Sequence, residues 1–304
     1  MPDRQTVLVA GANGQVGSNI CRIFDGNFDV IGFSSRELDV CEASEIHKIF
    51  DMVRPDIVIN AAAYTKVDDA EIYSSLADQT NLHAVKHLCD ACLNHNSLLV
   101  HFSTDYVFDG TKADPYREED YADPLNAYGH SKLAGDHYII ENAAQYLIFR
   151  LAWVYDNRGT NFPKKILQAA HGKDQLTVVD DQIGTPTSAD FIATTVHQLI
   201  TTEDANNNPR HNNLYNLVPN GAASWFEFAV HLLSRAEAMG FDLKCTARDV
   251  IPVKSSDLSQ PAKRPARVVL DNSKIQRTLG TSFAQWDSYI EGFLQQMRRH
   301  NDRL

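Results

Sequence analysis

A chain of 304 residues, 43% of them hydrophobic, is long enough for one large α/β domain carrying a smaller lobe, or for two domains. Its formal net charge of -11 and pI near 5.5 exclude the clustered positive field that a nucleic acid or an anionic membrane surface needs. Five scattered cysteines, Cys21, Cys41, Cys89, Cys92 and Cys245, indicate free thiols in a reducing compartment. The start, Met1-Pro-Asp-Arg-Gln-Thr, is too short and polar for a signal peptide, so a cytoplasmic protein is expected. No apolar run approaches the roughly 20 residues of a membrane span.

Val7 to Ala10 is a short β-type run, followed at once by Gly11-Ala-Asn13-Gly14-Gln15-Val16-Gly17 and a helix-compatible stretch, Ser18 to Phe24. Strand, glycine turn and helix, then a second strand at Asp29 to Phe33, is the opening of a dinucleotide-binding βαβ unit. The glycines permit a tight turn and let pyrophosphate approach backbone N–H groups at a helix N-terminus. Where an NAD-binding unit carries an acidic residue at the tip of the second strand, this chain has Ser34, Ser35 and Arg36. NADPH is therefore the expected cofactor, with Glu37 and Asp39 close enough to leave NADH possible.

Ala43 to Val53 is patterned as a helix. Asp56 to Asn60 reads as a buried parallel strand ending in the small residues Ala61, Ala62 and Ala63 before Tyr64, which leaves room for a cofactor at the sheet edge. A helix is expected over Asp78 to Asn94, with Leu82, Val85, Leu88, Cys89 and Cys92 on its apolar face. His87, Cys89, Cys92 and His95 could suggest zinc, but the cysteines fall on that face and no second ligand pair follows, so no metal is expected. The next strand, Ser97 to Phe102, ends in Ser103-Thr104-Asp105, placing hydroxyls and a carboxylate where open α/β sheets put their chemistry.

A loop with Pro115 and Pro124 leads into Asn126-Ala-Tyr128-Gly-His-Ser-Lys132. On a helix, positions four apart share a face, so Tyr128 and Lys132 point into one space. An ammonium beside a phenol favours the phenolate, giving a proton donor of the kind ketone reduction needs. Tyr146 to Tyr155 reads as the last strand of a parallel sheet. Beyond it the alternation breaks into mixed elements: a helix from Lys164 to Ala170, a strand over Val178 to Gln182 with a turn at Gly184 to Thr187, a helix capped by Thr187 and running to Ile200, a polar loop over 201–213, a capping-box helix from Ser224 to about Met239, and a last helix from Trp286 to Arg298 with an apolar core face. The fold class is thus α/β, a doubly wound parallel sheet of Rossmann type with a smaller C-terminal substrate-binding lobe. Residues 1–151, with 184–218 returning to them, are expected to bind the dinucleotide, and 152–304 mainly a sugar nucleotide.

The glycine turn, Asn60-Ala-Ala, Ser103-Thr104-Asp105-Tyr-Val-Phe and Tyr128-x-x-x-Lys132 together resemble the extended short-chain dehydrogenase/reductases. Further motifs of the sugar-nucleotide ketoreductases among them are Pro124-Leu-Asn-Ala-Tyr-Gly, Arg150-x-x-Trp153-Val-Tyr155, Asn161-Phe162, Asp181-Gln182-x-Gly184-x-Pro186-Thr187 and Arg264-Pro265. The resemblance covers nearly the whole chain. It implies NADPH-dependent reduction of the 4-keto group of a nucleotide-linked 6-deoxyhexulose to give dTDP-L-rhamnose. A sister product of 6-deoxytalose or dihydrostreptose type is the first alternative, and a cofactor-binding regulatory subunit of methionine adenosyltransferase type the second.

By position, the resemblance makes Tyr128 the proton donor, Lys132 the group that lowers its pKa and holds the nicotinamide ribose, and Thr104 a donor to the ketone. It places Gly11, Gly14, Gln15 and Val16 on the pyrophosphate, Asp39 and Val40 on adenine, and Ala62, Ala63 and Tyr64 along the cofactor's middle. Val67, Asp105, Trp153 and Arg264 would face the sugar nucleotide. Three departures bear on substrate and assembly: Val268 replaces the usual serine of the Arg-Pro-x-x-Ser segment, Leu151-Ala152 replaces a hydroxyl pair, and Gln15 replaces a glutamate through which some members form metal-bridged dimers. A homodimer is possible, and the exact sugar and nucleotide stay open.

Overall fold

In the central strands both alternating sets of side chains are apolar, so neither face of the sheet can be left to water. The computed structural model, which describes residues 4–202 and 212–299, satisfies that demand with helices on both sides. In chain order the elements are β1 (Thr6–Ala10), α1 (Gln15–Phe24), β2 (Asp29–Phe33), α2 (Ala43–Val53), β3 (Ile57–Asn60), α3 (Val67–Ile72), α4 (Ser74–Asp78), α5 (Ala84–His95), β4 (Leu98–Thr104), α6 (Ala127–Asn142) and β5 (Tyr146–Leu151). There follow β6 (Val154–Tyr155), α7 (Phe162–Gly172), β7 (Leu176–Val179), β8 (Ile183–Gly184), β9 (Thr187–Ser188), α8 (Ala189–Thr201), β10 (Asn213–Asn216), β11 (Ala223–Ser224), α9 (Trp225–Ala238), β12 (Val250–Val253), α10 (Ser273–Leu279) and α11 (Ile290–Arg299).

Among the described residues the main sheet has six parallel strands in the order β10-β5-β4-β3-β1-β2. Val7, Val9, Ile59, Val100 and Phe149 point to one face, where α1 and α8 contribute Ile20, Phe24, Phe191 and Val196. Leu8, Val58, Leu99 and Ile148 point to the other, against Ile46 and Phe50 of α2 and Leu88, Cys89 and Cys92 of α5. The two cysteines are thus core side chains, as their face predicts. A separate cluster joins α7, α9 and α11 to the β7 and β12 pair, with Phe228, Leu232, Trp286, Ile290, Phe293 and Leu294 at its centre. The strand order reverses between β2 and β3 on either side of β1, so the glycine turn after β1 opens at the switch point where doubly wound sheets bind ligands.

Four readings of the sequence need correction. The helix expected over Asp78 to Asn94 is interrupted by a wide turn at Gln79–His83. There the Asn81 side chain accepts from Tyr64 N–H and donates to Tyr64 C=O and to Ser131 Oγ, satisfying buried polar groups that a straight helix would leave out of reach. The strand read as Tyr146 to Tyr155 breaks at Trp153, whose φ of 45° lies in the left-handed region. Ser188, and not Thr187, caps α8: its side chain accepts from Phe191 N–H, while Thr187 stays extended to pair with Val154. Finally, β7 ends at Val179, short of the Gln182 that closed the expected strand. Most of the polar loop expected over 201–213 lies outside the described residues.

Candidate active site

Gly11 sits at φ 79°, and a Cβ there would come within 2.8 Å of Ala61 backbone. Only glycine lets the β1 turn lie against the end of β3. Gly17 packs as closely, since a Cβ on it would meet Gly11 O at 2.3 Å. The turn leads into α1, whose N-terminus has no side-chain cap and no acidic residue in its first turn. That end presents backbone donors and the positive pole of the helix, a fit for a diphosphate.

From this turn a cleft of about 550 Å³ runs across the carboxyl ends of the strands. Of the residues singled out in the sequence, it is lined by Asn13, Gly14, Gln15, Val16, Ala63, Val67, Thr104, Asp105, Tyr128, Lys132 and Trp153. Gly11 and Gly17 shape the turn behind it. Ser34, Arg36, Asp39 and Val40 lie beyond the lining, around the tip of β2: Val40 is packed in the core, and Ser34 gives both its hydroxyl (2.6 Å) and its N–H (2.9 Å) to the Glu37 carboxylate. Ala62 packs on the core, while Tyr64 packs beside Tyr128.

Thr104 closes β4, and its hydroxyl donates to Asp105 Oδ1 at 3.1 Å while accepting Tyr106 N–H. Asn126 caps α6 by accepting Gly129 N–H, which fixes the first turn and turns Tyr128 toward Thr104. Both side chains line the same cleft. The phenol is buried and touches Tyr106 edge-on at 5.7 Å. Burial raises the Tyr128 pKa above its ordinary value, outweighing the Thr104 hydrogen bond. The expected lowering is therefore not what the protein achieves without ligands.

Lys132 makes its polar contacts elsewhere. Its Nζ donates to Phe102 C=O at 2.7 Å and lies 3.1 Å from His101 Nε2. Burial brings its pKa down to about 8, against the opposing field of Asp136. Asp105, also fully enclosed, is pushed up to about 7 by burial, with its hydrogen bonds to Thr104 and backbone acting the other way.

The far wall is aromatic. Trp153 and Trp225 lie parallel at 3.5 Å between ring centroids and 4° between planes, with Phe162 at 4.5 Å from Trp225. The Trp225 N–H donates to Gln182 at 3.3 Å. Gly184 makes this possible, because a Cβ there would fall 2.4 Å from Trp153 Cε2. Arg264 stands outside the lining, in a two-pronged ion pair with Asp68. Sequence reasoning missed Trp225, Phe228, Phe102 and Thr160 as cleft residues. Trp225 is the first residue after a helix cap, and no periodicity marks a residue there as lining a distant cleft.

A switch-point glycine turn joined by one cleft to a Thr, Tyr and Lys set defines an extended short-chain reductase of Rossmann type. The chain belongs to the family described as the RmlD substrate binding domain, which matches residues 5–299. It is 35% identical over 296 residues to the dTDP-4-dehydrorhamnose reductase of Salmonella typhimurium, covering 96% of this chain and 97% of that one. It is 34% identical over 287 residues to the enzyme of the same name from Aggregatibacter actinomycetemcomitans, covering 94% and 97%. The crystal structure of dTDP-4-dehydrorhamnose reductase from Bacillus anthracis in complex with NADP superposes with a TM-score of 0.88 at 31% identity, covering 96% of this chain and 99% of that one.

Proposed function

We propose that this protein reduces the 4-keto group of a dTDP-linked 6-deoxyhexulose with NADPH, giving dTDP-L-rhamnose; its relatives are named dTDP-4-dehydrorhamnose reductases. The observation that supports it best is that Thr104, Tyr128 and buried Lys132 line the same cleft as the glycine turn. In this reading Gly11 to Gly17 and the α1 N-terminus hold the dinucleotide diphosphate, and the cofactor, when bound, supplies the hydride.

The chain's own groups then handle the charge that develops on the sugar oxygen. Tyr128 delivers its O–H proton to that oxygen, and Thr104 donates a second hydrogen bond, so negative charge meets donors already in place. Lys132 stabilises the phenolate that is left. Trp153, Trp225 and Val67 form the apolar sides that exclude water around the sugar. The same reading assigns cofactor binding to residues 1–151 with 184–218, and the sugar nucleotide mainly to 152–304.

The test is a panel of 4-keto-6-deoxy sugar nucleotides incubated with NADPH and with NADH, with the product's stereochemistry read by NMR. A rhamnose product is expected. A 6-deoxytalose or dihydrostreptose-type product would reassign the sugar, and no reduction across the panel would overturn the reading. Tyr128→Phe should lower kcat by about 10² to 10⁴-fold while NADPH affinity stays close to wild type.

A further inference from the structure

Behind Lys132, on the side away from the cleft, a sealed polar file runs through the sheet: Asn60 at 2% exposure, His101 at 0%, Asp136 at 0% and Arg150 at 5%. Asn60 closes β3, His101 lies on β4, Asp136 is one turn beyond Lys132 on α6, and Arg150 is on β5.

Hydrogen-bond chemistry fixes how that histidine is protonated. Asn60 Oδ1 accepts Ala62 N–H at 3.2 Å, so the amide NH₂ is the end that faces His101 Nδ1 at 3.2 Å. An amide NH₂ only donates, which leaves Nδ1 as the acceptor and puts the imidazole proton on Nε2. That N–H is directed at Lys132 Nζ, 3.1 Å away, with Asp136 Oδ1 beyond it at 3.9 Å. An ammonium also only donates. The contact is satisfied when Lys132 is a neutral amine whose lone pair accepts, and is repulsive when Lys132 is charged.

We propose that Asn60 and His101 are positioning residues that set the charge of Lys132, Asn60 by holding His101 in the Nε2–H form and His101 by offering the lysine a donor where an ammonium needs an acceptor. Lys132 is then a proton-exchanging group, not a fixed cation. Lys132 exchanges between an ammonium that donates to Phe102 C=O and an amine that also accepts from His101 Nε2–H. The groups facing Lys132 and His101 agree with this. Tyr128 and Asp136 on α6, Asp105 after β4 and Arg150 on β5 complete the surroundings, and only Asp136 pulls the lysine back toward its charged form. Asp136 is itself drawn toward neutrality by burial, and burial together with the nearby lysine keeps His101 uncharged.

The catalytic consequence rests on the reduction proposed above, but the protonation of Lys132 does not, and the experiment separates them. The full chain, labelled with [13C]lysine and free of substrate, is titrated by NMR, with the Lys132 signal assigned by its loss in Lys132→Met. Asn60→Asp replaces the donor facing Nδ1 with an acceptor, moves the imidazole proton to Nδ1 and leaves Nε2 to accept from an ammonium. It should raise the lysine midpoint by about one pH unit. The same change in a His101→Phe background should leave the midpoint where His101→Phe alone puts it. Should Asn60→Asp not fold, Asn60→Leu, which frees either tautomer, should also move the midpoint up. An unchanged midpoint in these Asn60 variants, or a shift of equal size without His101, overturns the proposal. If no sugar nucleotide is reduced, the proposed reaction fails while this titration still stands or falls by itself; if one is, the alkaline limb of the rate profile should move with the midpoint.

Discussion

Arg264 and Asp68, 196 residues apart in the chain, meet through two parallel N–H···O hydrogen bonds of 3.0 and 2.7 Å. Ala262 N–H adds a third contact to the same carboxylate at 3.2 Å, and Asn126, the cap of α6, donates to Lys263 C=O at 2.9 Å. The 262–264 segment is thereby strapped over the start of α3 and α6, the helices that carry Val67 and Tyr128.

Asp68→Asn removes the charge from this strap. The pair is partly exposed, so the loss of stability should be at most about 1 kcal/mol, while the larger effect should be a raised KM for the sugar nucleotide with a smaller change in kcat. The Arg264 hydrogen bonds hold the Asp68 carboxyl below its ordinary 3.8. Its stabilisation is therefore present above that value and is lost as pH falls through the lower folded one. Denaturant unfolding of wild type and variant should converge in strong acid.

Gly184→Ala pushes a methyl group into the Trp153 indole. Overpacking at so close an approach should cost about 1–3 kcal/mol and separate the stacked indoles. Denaturant midpoint and tryptophan fluorescence measure the two effects, and the sugar-nucleotide KM should rise with them.

Asp105 makes the opposite contribution to Asp68. Burial raises its folded pKa to about 7 from an ordinary 3.8, so relative stability is fully present below about 4 and is lost as pH rises through 7. In Asp105→Asn this decline should disappear, a difference on the order of a few kcal/mol near neutral pH. Unfolding free energies measured from pH 4 to about 8 will show whether the curve flattens.

Glu37 puts a carboxylate at the tip of β2, held there by the Ser34 hydroxyl and N–H. A carboxylate near this tip accepts from a ribose 2′-hydroxyl and repels a 2′-phosphate. Glu37→Gln should raise the ratio of kcat/KM with NADPH to that with NADH several-fold, while Arg36→Ala should lower it.

Most strands of the first 151 residues were legible because their signals are local, whereas the break at Gln79–His83 was not. Val7 to Ala10 before Gly11 and the small residues after Asn60 each specify their own geometry. The pairing of Tyr128 with Thr104 could be inferred because both lie where the sheet's strands end. What stayed hidden depends on partners distant in sequence. Trp153 takes its left-handed backbone because Gly184, Thr187 and Trp225 receive it. Lys132 turns inward because His101 and the Phe102 carbonyl are there. Ser34 and Arg36 suggested a phosphate site, and only the fold brings Glu37 back onto Ser34.

The sixth strand has a consequence for how the molecule can be made. β10, at residues 213–216, pairs with β5, and α8, which precedes it, covers α1. A growing chain that has emerged only as far as β5 presents an open parallel edge and an apolar face on α1, with their covers still unsynthesised. Truncation between 156 and 216 should therefore yield aggregating material, not a cofactor-binding half. A split at the boundary suggested by the glycine turn and the Tyr-Lys pair would divide the chain where its motifs divide, but not where its folding does.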